Sequence, residues 1–192
     1  MPPEHTINDI TAFIGKKLRT SQPDPSRLKI IKTSVDARHK DDIHFVYTVA
    51  FTCENENAVL KKNSGNKNIS SYKEIPYSLP QRAKLSKRPV VVGFGPAGMF
   101  AALYLAQCGV RPIVLERGLD VESRKEKVRM FWEKGILDTE CNVQFGEGGA
   151  GTFSDGKLTT RIKDNRSLYV IDKFIEAGAP EEIAYDAKPH IG

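Results

Sequence analysis

The spacing of hydrophobic and polar residues changes along the chain from a helical period to an alternating one. Between residues 6 and 18, isoleucine and leucine recur every three or four positions, which predicts an amphipathic helix. Segments 28–37 and 43–52 are predicted strands around a polar turn at 36–42, and in the second of them apolar and polar residues alternate. Alternation with a period of two predicts strands, so residues 1–80 are expected to form a small α+β module with a hairpin.

The remaining polar and charged segments are interpreted as a loop and two helices. Residues 54–74 are rich in Lys, Asn and Ser, which predicts a flexible loop before a domain boundary near residue 80. Asp120 is a predicted N-cap for a charged helix that ends at Gly135, and a further helix is predicted over 166–177. The charges of the first helix are expected on a solvated face. Its expected buried residues are Val121, Val128, Met130, Phe131 and Trp132.

A short apolar run leads into a glycine motif. Residues 90–92 are three valines, a β-branched run typical of a strand buried on both faces. The motif GFGPAG (G-x-G-x-x-G) follows at 93–98, and an apolar, sandwiched helix is predicted from Pro96 to Gln107. In such a motif the first glycine permits a tight turn, the second lets a pyrophosphate approach the backbone, and the third lets the helix pack on the strand. The helix N-terminus offers free N–H groups and a positive dipole end to phosphates.

A second short strand, predicted at 112–115, ends at Glu116. Glu116 lies 23 residues after Gly93, where a carboxylate accepts hydrogen bonds from both hydroxyls of an adenosine ribose. Its negative charge would oppose a 2′-phosphate. A glycine motif alone also fits any glycine-rich turn, but the order strand, glycines, helix and acid predicts a dinucleotide site.

A second glycine-rich stretch, NVQFGEGGAGTFSDGKLTT, occupies residues 142–160. It holds five glycines within eleven residues, which allows the backbone to pass close to a flat ligand. Its hydroxyl and N–H groups suit a pyrophosphate, a ribityl chain or an isoalloxazine edge, and Lys157 is a candidate to stabilise negative charge on a reduced flavin. The alternative is a mobile surface loop, which the apolar residues flanking the glycines disfavour.

These motifs resemble known flavoproteins. The segment GFGPAGMFAALYLAQCGVRPIVLERG is similar to the glutathione-reductase-like FAD-binding fold, whose last motif glycine is followed by seventeen residues and a glutamate, as in Gly98 and Glu116. More narrowly, SVDAR (34–38), HFVYTV (44–49), the second glycine-rich stretch and the closing KPHIG resemble the uncharacterised bacterial FAD-dependent dehydrogenases. The likeness begins near residue 28.

The resemblance implies a fold and a function. The fold class is α/β, with an incomplete Rossmann-like FAD-binding domain over 81–192 preceded by the small α+β module over 1–80. The chain would be the N-terminal portion of a longer cytoplasmic flavoprotein, an FAD-dependent oxidoreductase that this portion alone does not complete. NAD(P)H is the candidate electron donor, and a small-molecule substrate or electron acceptor is the expected partner.

The resemblance also implies which residues contact FAD, although it assigns no catalytic residue. The residues expected at the pyrophosphate are Gly93, Gly95, Pro96, Ala97 and Gly98. Glu116 would hold the adenosine ribose, and Arg117 would lie beside the adenosine half, with Arg124 a further candidate from the next helix. The residues expected near the flavin are Gly148, Gly149, Gly151, Thr152 and Ser154.

Charge and cysteine content narrow the function classes. Residues 1–87 carry 15 Lys and Arg against 9 Asp and Glu, whereas residues 88–192 carry 14 against 15. This local surplus fits a solvated surface, and RNA as a polyanionic partner is disfavoured because no nucleic-acid motif accompanies it. The three separated cysteines indicate reduced thiols and exclude a flavin disulfide reductase with a cysteine pair. No leader or membrane-spanning segment is expected, so a cytoplasmic location is predicted.

Three other functions stay open on the sequence. The nucleotide is NAD in the first, which makes the chain part of an NAD(P)-binding dehydrogenase. In the second, the basic module binds RNA in a flavin-dependent RNA-modifying protein. In the third, the chain is a non-catalytic nucleotide-binding piece.

Overall fold

The computed structural model describes residues 1–79, 82, 84–160, 162 and 164–191, and the chain divides into two compact units. The first unit is Met1–Pro76 together with Leu158–Pro189, and the second is Tyr77–Lys157 with the last residues from His190. The predicted boundary at residue 80 lies outside the described residues. Segment 158–189, which the sequence assigned to the FAD-binding domain, packs instead within the first unit. The assignment of function to these units stays a prediction.

The first unit begins with the predicted amphipathic helix, α1 (Ile7–Leu18). Thr6 and Asp9 form a capping box, in which the Thr6 side chain accepts the Asp9 N–H and the Asp9 carboxylate accepts the Thr6 N–H. Ile10 and Ile14 are buried on the apolar face. Capping and burial together define this helix, and the sequence prediction is confirmed.

The predicted hairpin is also confirmed. Strands β1 (Lys29–Asp36) and β2 (His44–Ala50) pair antiparallel, with an irregularity between Ile30 and Lys32. On the other side of β1, Thr33 forms a parallel bridge with Asp186. A residue from segment 158–189 thus extends the pairing of the N-terminal hairpin.

The predicted loop at 54–74 contains a helix, so that prediction is wrong in part. Helix α2 (Glu56–Lys62) has no side-chain cap, and its apolar residues Val59 and Leu60 are half-buried. Its last turn carries lysines, which interact favourably with the negative end of the helix dipole. The segment is therefore helical in part despite its loop-like composition.

The second unit has the predicted order of elements. Strands β3 (Val90–Val92) and β4 (Ile113–Leu115) pair in parallel, joined by α3 (Pro96–Gln107). Helix α4 (Val121–Lys134) is capped by Asp120 and ends at Gly135 in the left-handed conformation. A 3₁₀ turn (Gly149–Phe153) lies in the second glycine stretch. The fold is therefore mixed α/β, and the described sheets each have two strands rather than the larger sheet of a complete Rossmann domain.

The burial of the second unit differs from the prediction in two places. No residue of α3 is fully buried, and Val92 of β3 is 83% exposed. On α4, Arg124 and Val128 are buried, whereas Trp132 is 65% exposed. The predicted sandwiched position of α3 and the predicted burial of Phe131 and Trp132 are therefore wrong, whereas the predicted burial of Val128 is confirmed.

The last predicted helix is present as α5 (Asn165–Glu176), with Asp164 as its N-cap and Gly178 beyond its end. It packs against a 3₁₀ turn at Glu181–Ala184, within the first unit. None of the helices in the described part of the chain has both the length and the apolar character required to cross a membrane.

Candidate functional site

The glycine motif forms a tight turn between β3 and α3. Gly93 adopts φ of 92°, a left-handed conformation that favours glycine, and its N–H donates to Leu115 O at 2.7 Å. A Cβ on Gly98 would overlap the carbonyl of Gly93. The first and third glycines therefore have structural roles, a tight turn and a close approach of helix to strand, as the sequence predicts.

The N-terminus of α3 presents unpaired backbone donors. Gly95 is the N-cap and Pro96 the first helical residue, and the first helical bond runs from Met99 N to Gly95 O at 2.9 Å. Among the described residues, the N–H groups of Ala97 and Gly98 have no hydrogen-bond partner. Together with the helix dipole, two free N–H groups favour an anion at this end of the helix.

The second glycine stretch packs directly on this helix end through backbone. A Cβ on Gly149 would lie 3.0 Å from Gly95 Cα, and one on Gly151 would lie 3.5 Å from Pro96 Cγ. The Gly148 N–H donates to Phe94 O at 2.8 Å. The two glycine segments, far apart in sequence, thus meet at the α3 N-terminus through backbone atoms and the Pro96 ring.

Glu116, at the end of β4, links the two glycine segments. Its Oε2 accepts the Phe94 N–H at 2.5 Å, and its Oε1 accepts the N–H groups of Gly118 at 3.0 Å and Gly146 at 3.1 Å. These bonds, first that from Gly118, lower the pKa of Glu116 below its ordinary 4.5, although partial burial opposes them. The side chain is half-buried and ionised at neutral pH.

A carboxylate offers about four acceptor positions, and three on Glu116 are already used by backbone N–H groups. The carboxylate also helps to fix a tight backbone contact, since a Cβ on Gly118 would come within 2.6 Å of Gly146 N. Glu116 therefore has a structural role, since it hydrogen-bonds three backbone N–H groups. Its Oε2 can accept about one further donor.

Arg124 is the buried cation of the site. It lies on α4, is fully buried, and donates from Nε to Asn142 O at 2.9 Å and from Nη1 to Glu147 O at 2.6 Å. Its guanidinium lies 4.8 Å from the Phe153 ring centroid. Its Nη2 is buried without a hydrogen-bond partner among the described residues. The sequence prediction of a solvated charged face is wrong for this residue, which instead holds the second glycine stretch by its carbonyl groups.

Glu147 hydrogen-bonds the second glycine stretch to the start of α4. Its N–H donates to Leu119 O at 3.0 Å, and its Oε2 accepts the Val121 N–H at 2.8 Å. Neither Glu147 nor the structural role of Arg124 is predicted by the sequence motifs. Both act on backbone groups that are distant in sequence, so local patterns hold no signal for them.

The Arg117 side chain stacks on the ring of Phe145 and pairs with Glu140. Its guanidinium lies 3.9 Å from the Phe145 ring centroid, and its Nε is 3.5 Å from Glu140 Oε2. The Arg117 side chain is 53% exposed. A flat cationic group next to Glu116 offers one face for stacking by an aromatic ligand.

The hydroxyls predicted near the flavin have protein partners. Thr152 Oγ1 donates to Glu147 O at 3.2 Å and lies 3.3 Å from Arg124 Nη1. Ser154 Oγ accepts the Gly156 N–H at 3.2 Å. The structure therefore brings the predicted residues at 93–98, 116 and 148–151 together, while these two hydroxyls stabilise the loop itself.

Lys157, the candidate to stabilise negative charge on a reduced flavin, is exposed and forms an ion pair with Asp155. It pairs with Asp155 at 2.6 Å, is 70% exposed, and this hydrogen bond raises its pKa. His190 forms an antiparallel bridge with Lys157. In the residues that the structure describes, no group of His, Cys, Asp and Glu has a metal-binding arrangement, and none of the three cysteines is in a disulfide bond.

Comparison with known proteins gives one family model and one similar protein. Residues 1–52 match the family model described as "Domain of unknown function (DUF8436)". Over 188 residues the chain is 53% identical to an "Uncharacterized protein" of Clostridium beijerinckii (strain ATCC 51743 / NCIMB 8052). That match includes 97% of this chain and 35% of the relative, so the chain spans about a third of the length of the curated relative it matches.

Proposed function

We propose that the second unit binds the adenosine diphosphate half of FAD at the N-terminus of α3, and that the chain is the FAD-binding portion of an oxidoreductase. One observation carries the proposal. The N–H groups of Ala97 and Gly98 are without partners at a helix N-terminus, and the ionised Glu116 lies beside it at the end of the adjacent parallel strand. This combination of donors and acceptor matches a diphosphate joined to a ribose.

The diphosphate would take the helix end. Two free N–H groups and the positive end of the α3 dipole favour a doubly charged group there. A Cβ on Gly95 would make only an ordinary 3.6 Å contact with Gly149 Cα, so protein packing does not require glycine at this position. We infer that approach of a ligand to the backbone is what requires it.

The ribose would take the remaining acceptor position on Glu116. Three backbone N–H groups leave room for one hydroxyl rather than the two expected from the sequence. The carboxylate charge disfavours a 2′-phosphate at that place. Arg117, stacked on Phe145, would contact the adenine from the same side.

The second glycine stretch would form the path toward the flavin. Gly149 and Gly151 keep its surface free of side chains next to Pro96. Arg124 and Glu147 hold this backbone in place, so they act on the cofactor through the loop. When bound, the flavin supplies hydride transfer. NAD(P)H as donor and a small-molecule substrate or acceptor belong to the same proposal.

The test is cofactor binding by the full 192-residue chain. A flavin would give absorbance near about 450 nm in the purified protein. Titration of cofactor-free chain with FAD, FMN and NAD should show binding of FAD, and weaker binding of FMN, which lacks the adenosine half. Gly95→Ala should weaken FAD binding about tenfold or more by filling the space beside the phosphates, and Gly65→Ala, which meets no atom within 4 Å, is its control.

Each outcome has a distinct meaning. Preferential binding of NAD would support the nicotinamide alternative over the flavin. Binding to none of the three by the correctly folded chain would contradict the proposal. Turnover of NADH with a dye acceptor, measured on the FAD-loaded chain, then separates an enzyme from a passive nucleotide-binding portion.

A further inference from the structure

Arg124 carries a fully buried positive charge whose hydrogen-bond partners are all neutral. These partners are the carbonyl oxygens of Asn142, Gly146 and Glu147 and the hydroxyl of Thr152. Its Nη2 is buried without a hydrogen-bond partner among the described residues. Burial of a charge is costly unless an opposite charge lies close to it, and the groups that contact Arg124 provide dipoles but no such charge.

The other cations of α4 differ from Arg124 in this respect. Three of them, all accessible to solvent, pair with carboxylates: Lys125 with Glu122, Lys127 with Asp138, and Arg129 with Glu126 and Glu133. No carboxylate in the described part of the chain forms an ion pair with Arg124. Water and salt screen the accessible charges, whereas the field of a buried guanidinium extends through surroundings of low dielectric constant.

A single peptide group connects Arg124 to the first glycine motif. The oxygen of the peptide between Glu147 and Gly148 accepts a hydrogen bond from Arg124 Nη1 at 2.6 Å. The N–H of the same peptide donates to Phe94 O at 2.8 Å. Phe94 lies between the first two glycines of the motif. The guanidinium is therefore separated from the turn before α3 by the thickness of one backbone segment.

The rest of that segment, residues 147–152, contacts both the buried guanidinium and the start of α3. Arg124 Nη1 lies 3.3 Å from Thr152 Oγ1, so Arg124 reaches both ends of the segment. In its middle, a Cβ on Gly149 would lie 3.0 Å from Gly95 Cα, the N-cap of α3. The buried charge is thus held close to the helix end that presents free backbone N–H groups.

We propose that Arg124 determines the preference of this site for a diphosphate. Its charge attracts the phosphates across segment 147–152 without touching them, and this attraction adds to that of the helix N-terminus. The diphosphate in turn supplies the negative charge that balances the guanidinium. An unbalanced buried charge is unfavourable in a purely structural residue, and departures of this kind are expected at functional sites. This inference rests on the proposed function and adds to it a residue that sets the number of phosphates preferred.

The experiment measures how affinity depends on the number of phosphates. Adenosine, its 5′-monophosphate and its 5′-diphosphate are titrated by calorimetry into the cofactor-free 192-residue chain. The titrations are repeated with Arg124→Met, which removes the buried charge and keeps an unbranched side chain. The matched control is Arg129→Met, which removes an exposed and paired cation of the same helix. Circular dichroism checks the folding of each variant.

The unsubstituted chain should bind the diphosphate more tightly than adenosine, with the monophosphate between them. Arg124→Met should reduce the ratio of diphosphate to adenosine affinity about tenfold or more, because only the charged ligand loses an attraction. Arg129→Met should leave the ratio unchanged, since its charge is exposed and already paired.

The outcomes separate this inference from the proposed function. An unchanged ratio in Arg124→Met overturns the inference, because a purely structural arginine would weaken the binding of all three ligands equally. In that case binding of the diphosphate by the unsubstituted chain still supports the proposed function. If the folded, unsubstituted chain binds none of the three ligands, the proposed function is contradicted and the inference is overturned with it.

Nuclear magnetic resonance gives a readout that needs no variant. The Arg124 Nε–H donates to Asn142 O at 2.9 Å in a buried position, so its proton should exchange slowly with water. Saturation with the diphosphate should shift this resonance much more than saturation with adenosine, since only the diphosphate brings negative charge near the guanidinium. Equal shifts with both ligands would overturn the inference even if Arg124→Met fails to fold.

Discussion

Glu116 accepts the backbone N–H of Phe94 at 2.5 Å, so the end of β4 is hydrogen-bonded directly to the glycine turn that follows β3. The same carboxylate accepts the N–H of Gly146 at 3.1 Å and thereby joins the second glycine stretch to the first. One side chain therefore fixes the relative position of both segments proposed to contact the cofactor. Its structural role and its proposed role toward the ribose lead to separate predictions.

The structural role predicts a pH-dependent stability. Because the folded-state pKa of Glu116 is lowered, its contribution is fully present above its unfolded pKa, near 4.5, and is lost as the pH falls through the folded value. Glu116→Gln should therefore lower the free energy of unfolding at pH 7, and the difference from the unsubstituted chain should shrink as the pH falls below about 4.5. Urea denaturation between pH 7 and pH 3 measures this difference.

A suitable control for that series is Glu133→Gln, which removes an exposed carboxylate of α4 paired with Arg129. Its effect on stability should be small at every pH. A Glu116→Gln difference that is the same at pH 7 and at pH 3 would show that the lowered pKa of Glu116 contributes nothing to stability.

The proposed ligand role predicts discrimination against a 2′-phosphate. Adenosine 5′-diphosphate should displace FAD about tenfold better than its 2′-phosphorylated analogue, because the Glu116 charge repels the added phosphate. In Glu116→Gln the two competitors should become nearly equal. Fluorescence of displaced flavin gives both constants, and equal competition in the unsubstituted chain would remove Glu116 from the ribose site.

Substitution of two glycines of the first motif, Gly95 and Gly98, should have different effects on stability. Gly98→Ala should destabilise the second unit by about 2 kcal/mol or more, since the new Cβ overlaps the carbonyl of Gly93 and α3 must move from β3. Gly95→Ala should leave stability nearly unchanged, because its Cβ meets only an ordinary contact. Thermal and urea unfolding of both variants provide the comparison. A Gly98→Ala chain as stable as Gly95→Ala would contradict the observed helix–strand approach.

Substitution of two arginines of α4, Arg124 and Arg129, should have very different effects on the free energy of unfolding. Arg124→Met leaves the carbonyls of Asn142 and Glu147 without a donor, which should lower the free energy of unfolding by about 2 kcal/mol after relief of the buried charge. Arg129→Met removes only exposed pairs with Glu126 and Glu133, so no measurable change is expected. Urea unfolding measures both, and equal effects would contradict the structural role of Arg124.

The elements of this fold were largely predictable from local sequence. The valines at 90–92, the glycine turn and the apolar helix from Pro96 each fix their conformation through neighbours in sequence, and all lie where the pattern indicated. The capped helix from Asp120 to Gly135 is a similar case. Helix α2 was missed because the composition of its segment is that of a loop, with only two half-buried apolar side chains, Val59 and Leu60.

The tertiary contacts of the site were harder to predict from the sequence. Arg124 was expected on a solvated face, because the sequence of a charged helix does not show which of its side chains will be buried. In the structure Arg124 donates to carbonyl groups of residues 142 and 147, which are distant in sequence. The exposure of Val92 was also missed, since a β-branched run indicates a buried strand only if further elements cover it. The predicted contacts of Gly95 and Glu116 with a cofactor stay predictions.

The bridge between Thr33 and Asp186 has a consequence for how the protein is made. Thr33 N donates to Tyr185 O at 2.7 Å, and Ala187 N donates to Thr33 O at 2.9 Å, so β1 obtains a neighbour synthesised about 150 residues later. At about 5–20 residues per second, the ribosome needs roughly 8 to 30 seconds to add these residues, and the hairpin lacks this partner until then. By then the second unit has been synthesised up to Lys157, and it is therefore expected to fold before the first unit is completed.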